Sequence, residues 1–234
     1  MPPNGPERHN GPMNSSPEFF GASHAALTAA VQDAQLPDAV LSHWFGSARP
    51  SNAVALEHKA QWFTKSPAFD EDLRQRFGVA VQAAVGGALQ HWAQQGPWQR
   101  LALIVLLDQF TRNIYRATPQ SFAGDAQALA LALQAQQQGE DLLLPEVPRI
   151  FMYLPFEHAE DPAMQERSVQ AFAALADANA DPALSDFFAG TLDYAHKHQE
   201  VIAQFGRFPH RNPILGREST AAEKDYLAQP GAGF

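Results

Sequence analysis

The longest apolar run in this chain of 234 residues reads LALIVLL, from Leu101 to Leu107, and continues into Asp108-Gln109-Phe110. Pro97 lies just before the run, and proline is favoured in the first turn of a helix. We therefore predict a helix from Pro97 to about Ile114. A helix that is apolar on every side is normally buried, so we expect this one to lie inside the core.

The sequence on both sides of this run also favours helices. Alanine and glutamine are abundant, and no stretch shows a clean alternation of β-branched residues. Proline stands where most candidate helices begin and glycine where several end, as helix termini prefer. Besides the Pro97 helix, the predicted helices are Leu27–Ala34, Pro37–Phe45, Ala53–Thr64, Pro67–Trp92, Pro119–Gln138, Pro148–Glu160 with a bend at Pro155, Pro162–Leu175, Pro182–Phe205, and a short last helix through Leu227 that begins at a Thr220–Glu223 capping box.

These helices and their short connections predict a single all-α domain over residues 22–234. Residues 1–21 are rich in Pro, Gly, Asn and Ser and lack the apolar segment of a signal peptide. We predict that they form a disordered tail or leader. The longest apolar run is far shorter than the roughly 20 residues that a membrane helix needs.

The composition argues against two classes of partner. The formal net charge is −9, whereas a general nucleic-acid-binding protein carries a basic face or tail. A protein that binds anionic membrane surfaces carries a polybasic segment. We therefore expect neither a nucleic acid nor a membrane as partner; a homodimer stays open. The chain has no cysteine, which excludes disulfides and thiol chemistry and suits the reducing cytoplasm.

Two distant segments carry complementary charge. Directly after Pro155 the chain has three carboxylates and a histidine within five residues, Glu157 to Asp161. The segment Phe205–Arg217 contains three arginines, a histidine and an asparagine among Pro and Gly residues that favour an irregular loop. Because one segment has an excess of acids and the other an excess of cations, we expect them to face each other.

Asp108 is a third polar feature, since it follows the apolar run directly. A buried carboxylate has to be paired or neutralised, and Arg112 lies one helical turn later. One interpretation is a structural Asp108–Arg112 pair with Asn113 capping the helix end. The other makes Arg112 and Arg116 part of an anion-binding wall.

Four blocks of residues, taken in this order, resemble a bacterial family known only as domain of unknown function nine-two-four. The blocks are Trp62-Phe63 with Pro67, Phe69-Asp70 and Arg74–Phe77; Leu107–Asn113; Tyr153–Asp161 with Gln165–Ser168; and Phe205–Arg217 with Ser219-Thr220, before a closing Pro230-Gly231 to Phe234. The resemblance covers about residues 39–234. It implies an all-α fold of the tetratricopeptide-like superfamily, a right-handed α-α superhelix, and it implies no particular activity, substrate or cofactor.

Three functions remain open. The first is binding of a small anionic molecule or peptide carboxylate, because arginine can hold carboxylate or phosphate with two parallel hydrogen bonds. The second is an enzyme that carries out acid–base hydrolysis, with or without a metal ion, in which a histidine is the general base and a neighbouring glutamate sets its tautomer. The third is a structural ion-pair network, with the function elsewhere.

Each function has its own candidate residues. The ligand-binding candidates are Asp108, Arg112, Asn113, Arg116, Arg207, Arg211, Asn212 and Arg217. The catalytic candidates are His158, His210, Glu157 and Glu160. The candidate metal ligands are His158, Asp161, His198 and His210. A structural network predicts no accessible cavity among these groups, whereas a binding site predicts arginines that the protein does not fully pair.

Overall fold

A computed structural model describes residues 21–233, and within them the chain is all-α, with no strand. The predicted tail therefore lies outside the described residues, apart from Gly21. The α-helices are α1 (His24–Gln32), α2 (Leu36–Phe45), α3 (Asn52–Leu56), α4 (Lys59–Phe63), α5 (Pro67–Val85), α6 (Pro97–Ile104), α7 (Thr111–Ile114), α8 (Asp125–Gln138), α9 (Glu146–Glu157), α10 (Pro162–Ala178), α11 (Ser185–Phe205) and α12 (Ala221–Leu227). Short 3-10 turns lie at Gln90–Gln94, Pro119–Phe122, Asp141–Leu143, Pro182–Leu184 and Pro209–Arg211.

The centre of the fold is the apolar helix that the sequence predicts. α6 and α7 are joined by a π-helical turn, Val105–Phe110, so that the chain is helical from Pro97 to Ile114. Every residue of the π turn is buried. We call this helical segment, from Pro97 to Ile114, the central rod. The rod packs against α2, α5, α8 and α9, which explains why it has no polar face.

Aromatic side chains from three helices, α2, α4 and α9, form a cluster against the central rod. Trp44 of α2 lies edge-on to Phe110 and to Phe151 of α9, with ring centroids 5.5 and 5.7 Å apart. Trp62 of α4 lies 4.8 Å from Phe151. Such edge-to-face pairs add to the free energy gained by burying the rings. The C-terminal half continues the core, because α10 packs on both α9 and α11.

Helix termini follow the sequence signals closely. Ser66 accepts a hydrogen bond from Phe69 N at the start of α5, and Thr220 and Glu223 form the predicted capping box of α12. Gly46, Gly139 and Gly206 end α2, α8 and α11 in the left-handed conformation that glycine adopts without strain.

Three predicted helices are shorter than expected. The Pro67–Trp92 prediction is wrong beyond Val85, because α5 ends at Gly86 and Gly87 takes a φ of 80°. The Ala53–Thr64 prediction divides into α3 and α4. In place of the predicted Pro119–Gln138 helix, the structure has the 3-10 turn Pro119–Phe122 and α8. They are separated at Gly124, where the chain passes against the central rod.

No helix in the described part of the chain combines the length and the apolar character that crossing a membrane requires.

Candidate functional site

The candidate site is built around Asp108, which lies in the π turn and is completely buried. One carboxylate oxygen, Oδ1, lies 2.7 Å from Nδ1 of His158 and 3.2 Å from Nη1 of Arg112. The other, Oδ2, accepts a hydrogen bond of 2.6 Å from Gln109. Burial alone would raise the pKa of Asp108, but Arg112 and His158 hold it well below its usual range. The carboxylate is therefore ionised and fixed in orientation.

His158 lies directly after α9, at its C-cap, and its side chain is 15 % exposed. Burial lowers the pKa of His158, and the positive charge of Arg112 lowers it further, so the imidazole is neutral at neutral pH. Its Nδ1–H then donates to Asp108. Its Nε2 forms no hydrogen bond with the part of the chain that the structure describes, so this atom keeps its lone pair.

Asp125 brings the arginines together. It is the first residue of α8, and Gly124 before it approaches the rod so closely that a Cβ would lie 2.2 Å from the carbonyl oxygen of Leu107. Arg112 donates two hydrogen bonds to Asp125, of 2.8 and 3.0 Å. Arg211 Nη1 lies 3.6 Å from the same carboxylate.

Arg211 is the less completely paired of these two arginines. Its side chain is 8 % exposed, its Nη2 donates to the carbonyl oxygen of His158 at 3.0 Å, and its Nε is buried without a partner among residues 21–233. The guanidinium carbon lies 4.8 Å from the Phe122 ring centre and 4.5 Å from that of Phe208. Burial, and then Arg112, lower the pKa of Arg211 to about 10, so it remains a cation at neutral pH. We call Asp108, Arg112, Asp125, His158 and Arg211 the polar centre.

Glu157 and His198 lie beside the polar centre. Burial, and then the charge of Asp108, raise the pKa of Glu157 to about 8. Burial lowers the pKa of His198 to about 3. His198 Nδ1 lies 2.8 Å from the carbonyl oxygen of Tyr194 and 3.4 Å from Glu157 Oε1. Both side chains are thus mostly uncharged at neutral pH. Burial also lowers the pKa of His210, to about 4.

The acidic turn and the cationic loop do face each other. Glu160 accepts hydrogen bonds of 2.6 and 2.9 Å from Arg217 and one of 2.8 Å from Phe208 N. Arg217 also donates to the side-chain oxygen of Asn212, and the Asn212 amide nitrogen donates to the Ser219 hydroxyl. These contacts attach the loop to the end of α9.

Other candidate residues lie in separate ion pairs. Arg207 donates to Glu223 at 2.6 and 2.9 Å, within the capping box of α12. Arg116 donates to Asp70 of α5 at 2.8 and 2.9 Å. Asn113 donates to the same carboxylate, so the expectation that it caps the helix end is wrong.

Two further expectations need correction. Neither Glu157 nor Glu160 contacts the His158 ring; Asp108 sets its tautomer. Asp161 caps α10, accepting from the backbone of Ala163 and Met164. Within residues 21–233 no three histidine or acidic side chains are grouped as metal ligands would be.

Sequence reasoning missed Asp125, Phe122 and Asp70 as members of these networks. Asp125 carries a local signal, an acid in the first turn of a helix. Its partners, however, are Arg112, 13 residues earlier in the chain, and Arg211, 86 residues later, and no local pattern shows such contacts.

Two clefts of the molecule lie outside the polar centre. One, of about 610 Å³, is lined by five glutamines and by Arg100. The other, of about 620 Å³, lies between α3 and the α10–α11 connection and includes Asn52 and Glu146.

Fold and site together define a class: an all-α protein with a buried Asp–His pair beside two arginines that share one carboxylate. Residues 40–231 match the family described as "Bacterial protein of unknown function (DUF924)", and the chain belongs to this family. A solved structure titled "Structure of Protein of Unknown Function ATU0120 from Agrobacterium tumefaciens" is similar, with 35 % identity and a TM-score of 0.69 over 83 % of this chain and 98 % of that one. No curated protein matches.

Proposed function

We propose that this protein binds a small molecule carrying a carboxylate or phosphate group, at a site formed by Arg112, Asp125 and Arg211. We call these three residues the anion site. The observation that carries the proposal is the incomplete pairing of Arg211, a buried cation whose carboxylate partner is 3.6 Å away and whose Nε has no partner among the described residues.

A buried charge costs free energy unless it is paired and hydrogen-bonded. Here two guanidinium groups share the single carboxylate of Asp125, and Arg112 takes both of its close hydrogen bonds. An incoming anion would supply the acceptors that Arg211 lacks. Arginine suits this role because its planar fork forms parallel hydrogen bonds to carboxylate or phosphate.

The surroundings also favour an anion. Asp125 opens α8, a helix of 14 residues whose N-terminal dipole stabilises negative charge. The Asp125 side chain is 25 % exposed, so a ligand from solvent can reach its position. Phe122 and Phe208 lie within 5 Å of the Arg211 guanidinium carbon and hold it in place by cation–π contact.

The other three arginines that the sequence predicts as ligand contacts fit a structural ion-pair role instead. Arg116, Arg207 and Arg217 each donate two hydrogen bonds to one carboxylate of the protein. We therefore restrict the proposed ligand contacts to Arg112 and Arg211. The absence of cysteine is in keeping with a cytoplasmic location for this binding activity.

Titration with inorganic phosphate and with citrate, by calorimetry and thermal shift at constant ionic strength, tests the proposal. We expect saturable binding to the wild type and at least a tenfold loss of affinity in Arg211→Gln. Arg76→Gln, which removes an exposed arginine paired with Asp72, is the matched control and should bind as the wild type does.

Asp125→Asn provides an independent check with the opposite sign. It keeps the shape of Asp125 and removes the negative charge that competes with the ligand, so phosphate affinity should rise. Unchanged affinity in both Arg211→Gln and Asp125→Asn, with both variants folded by circular dichroism, would show that the anion site is wrong.

A further inference from the structure

We propose that His158 is a general base that activates water against a small anionic ester held at the anion site. This inference rests on the proposed function, and it adds a reaction to what would otherwise be a binding site. It concerns the side of His158 that faces away from Asp108.

The first support is the way in which His158 is held. Its Nδ1 is fixed by Asp108 at 2.7 Å, and its carbonyl oxygen is fixed by Arg211 at 3.0 Å. Asp108 is in turn fixed by Gln109 and Arg112. A general base needs this combination: one ring nitrogen bound to a carboxylate and the other left with its lone pair.

The second support is the position of the anion site. Arg211 contacts His158 itself, and Arg112 contacts the carboxylate that orients the imidazole. An anion that completes the pairing of Arg211 would therefore be held beside His158, whose carbonyl oxygen Arg211 contacts. Fixing two reactants side by side is a large part of how enzymes accelerate reactions.

The third support is the protonation state. Burial lowers the pKa of His158, and so does the Arg112 charge, so the ring is the neutral base at neutral pH. The carboxylate of Asp108 would stabilise the imidazolium that forms when Nε2 takes up a proton. A purely structural Asp–His pair would need no neighbouring cation with an unfilled donor, such as Arg211.

The contacts of His158 indicate water as the nucleophile. The chain has no cysteine, and among residues 21–233 no serine or threonine hydroxyl is hydrogen-bonded to the His158 ring. Among residues 21–233 the base therefore has no side-chain nucleophile hydrogen-bonded to it. Direct attack by water, and not a covalent intermediate, fits this arrangement.

The proposed step balances as follows. Water gives a proton to Nε2 of His158 while its oxygen forms a bond to the carbonyl carbon of the ester. The bond from that carbon to the alcohol oxygen then breaks, and the proton on Nε2 passes to the departing oxygen. The products are a carboxylic acid and an alcohol, and His158 returns to its neutral form. Asp108 stays ionised throughout and acts as a positioning residue.

The test uses the full chain with two activated esters, the anionic 4-nitrophenyl hydrogen succinate and the neutral 4-nitrophenyl acetate. We expect the wild type to hydrolyse the anionic ester faster than an equal concentration of free imidazole does. A general base typically contributes about 10²–10⁴-fold, so His158→Gln should lower kcat/KM at least 100-fold. His196→Gln, which removes an exposed histidine of α11, should have no effect.

Three further readouts separate catalysis from folding. In the wild type kcat/KM should rise with pH to a plateau, as His158 loses its proton. In His158→Ala, added imidazole should restore activity in proportion to its neutral fraction. Asp108→Asn should lower kcat more than it raises KM, because it disturbs the tautomer and not the binding.

The outcomes also separate this inference from the binding proposal. Phosphate binding that Arg211→Gln abolishes, together with ester hydrolysis that His158→Gln leaves intact, overturns the inference and keeps the anion site. Hydrolysis no faster than that by free imidazole overturns it as well. Phosphate should also inhibit hydrolysis by the wild type. If it no longer inhibits Arg211→Gln, while this variant hydrolyses both esters as fast as the wild type does, the anion site is not where the substrate binds.

Discussion

At the residue scale, the polar centre shows how burial and charge divide chemically similar groups. Asp108 and Glu157 are both buried carboxyl groups. Asp108 is held ionised by Arg112 and His158, whereas burial and the Asp108 charge raise the pKa of Glu157 to about 8. The sequence predicts that Asp108 must be paired, and it is. It does not predict that, within residues 21–233, burial and not a cation governs Glu157, because the contacts of Glu157 depend on how α9 and α11 pack.

Glu157→Gln tests this division through the pH dependence of stability. The folded pKa of Glu157 is above its ordinary value of 4.5, so its contribution is complete below about pH 4.5 and is lost as pH rises towards 8. While the folded state holds this extra proton, the free energy of unfolding falls by about 1.4 kcal/mol per pH unit. Glutamine cannot ionise, so the stability of the variant relative to the wild type should increase steadily from pH 5 to pH 8.

Urea unfolding at several pH values measures the difference. Glu200→Gln, at an exposed position of α11, controls for the loss of one acidic group. Parallel pH profiles of Glu157→Gln and the wild type from pH 5 to pH 8 would contradict the assignment.

At the element scale, the central rod and the start of α8 depend on each other. The π turn at Val105–Phe110 presents Asp108 inside the core, and Gly124 lets α8 begin directly against the carbonyl of Leu107. This contact brings Asp125 within reach of Arg112. The sequence predicts one uninterrupted helix from Pro119 to Gln138, because no local pattern shows that Gly124 lies against a backbone atom 17 residues earlier.

Gly124→Ala should therefore be strongly destabilising. The new Cβ would lie 2.2 Å from a backbone oxygen that cannot rotate away. Overpacking of this kind costs about 1–3 kcal/mol, occasionally more, and we expect the upper part of this range in chemical unfolding.

The matched control is Gly190→Ala in α11. Nothing lies within 4 Å of its Cβ position, and alanine is the better helix former by roughly 0.5–1 kcal/mol. This variant should be more stable than the wild type. A Gly124→Ala protein as stable as the wild type would contradict the close approach.

At the scale of the whole molecule, the C-terminal loop is fastened to the helical core by ion pairs. Glu160, beyond the end of α9, binds Arg217 and the backbone of Phe208. Arg211 of the same loop contacts His158 and Asp125. The polar centre thus exists only when the last part of the chain has docked onto the first three quarters.

Glu160→Ala should loosen this docking while leaving the core intact. It removes three hydrogen bonds, two from Arg217 and one from Phe208 N, at a cost of about 1–3 kcal/mol. Amide hydrogen exchange should become faster over residues 206–217 and stay unchanged over residues 97–114.

Glu218→Ala, an exposed acid in the same loop, should leave exchange unaltered. Equal protection of residues 206–217 in Glu160→Ala and in the wild type would show that the loop is held by its apolar contacts.

The order of apolar, proline and glycine residues was enough to establish the helical class, the buried rod from Pro97 to Ile114 and most helix termini, because those features depend on neighbours within about four residues. Complementary charge also indicated that the Glu157–Asp161 turn and the Phe205–Arg217 loop meet. Tertiary packing alone decided that Arg112 and Arg211 share Asp125, that Asp108 orients His158, and that Arg211 is left incompletely paired. Those outcomes depend on distances between side chains 13 to 86 residues apart, and such distances are set by the packing of the helices and not by the local sequence.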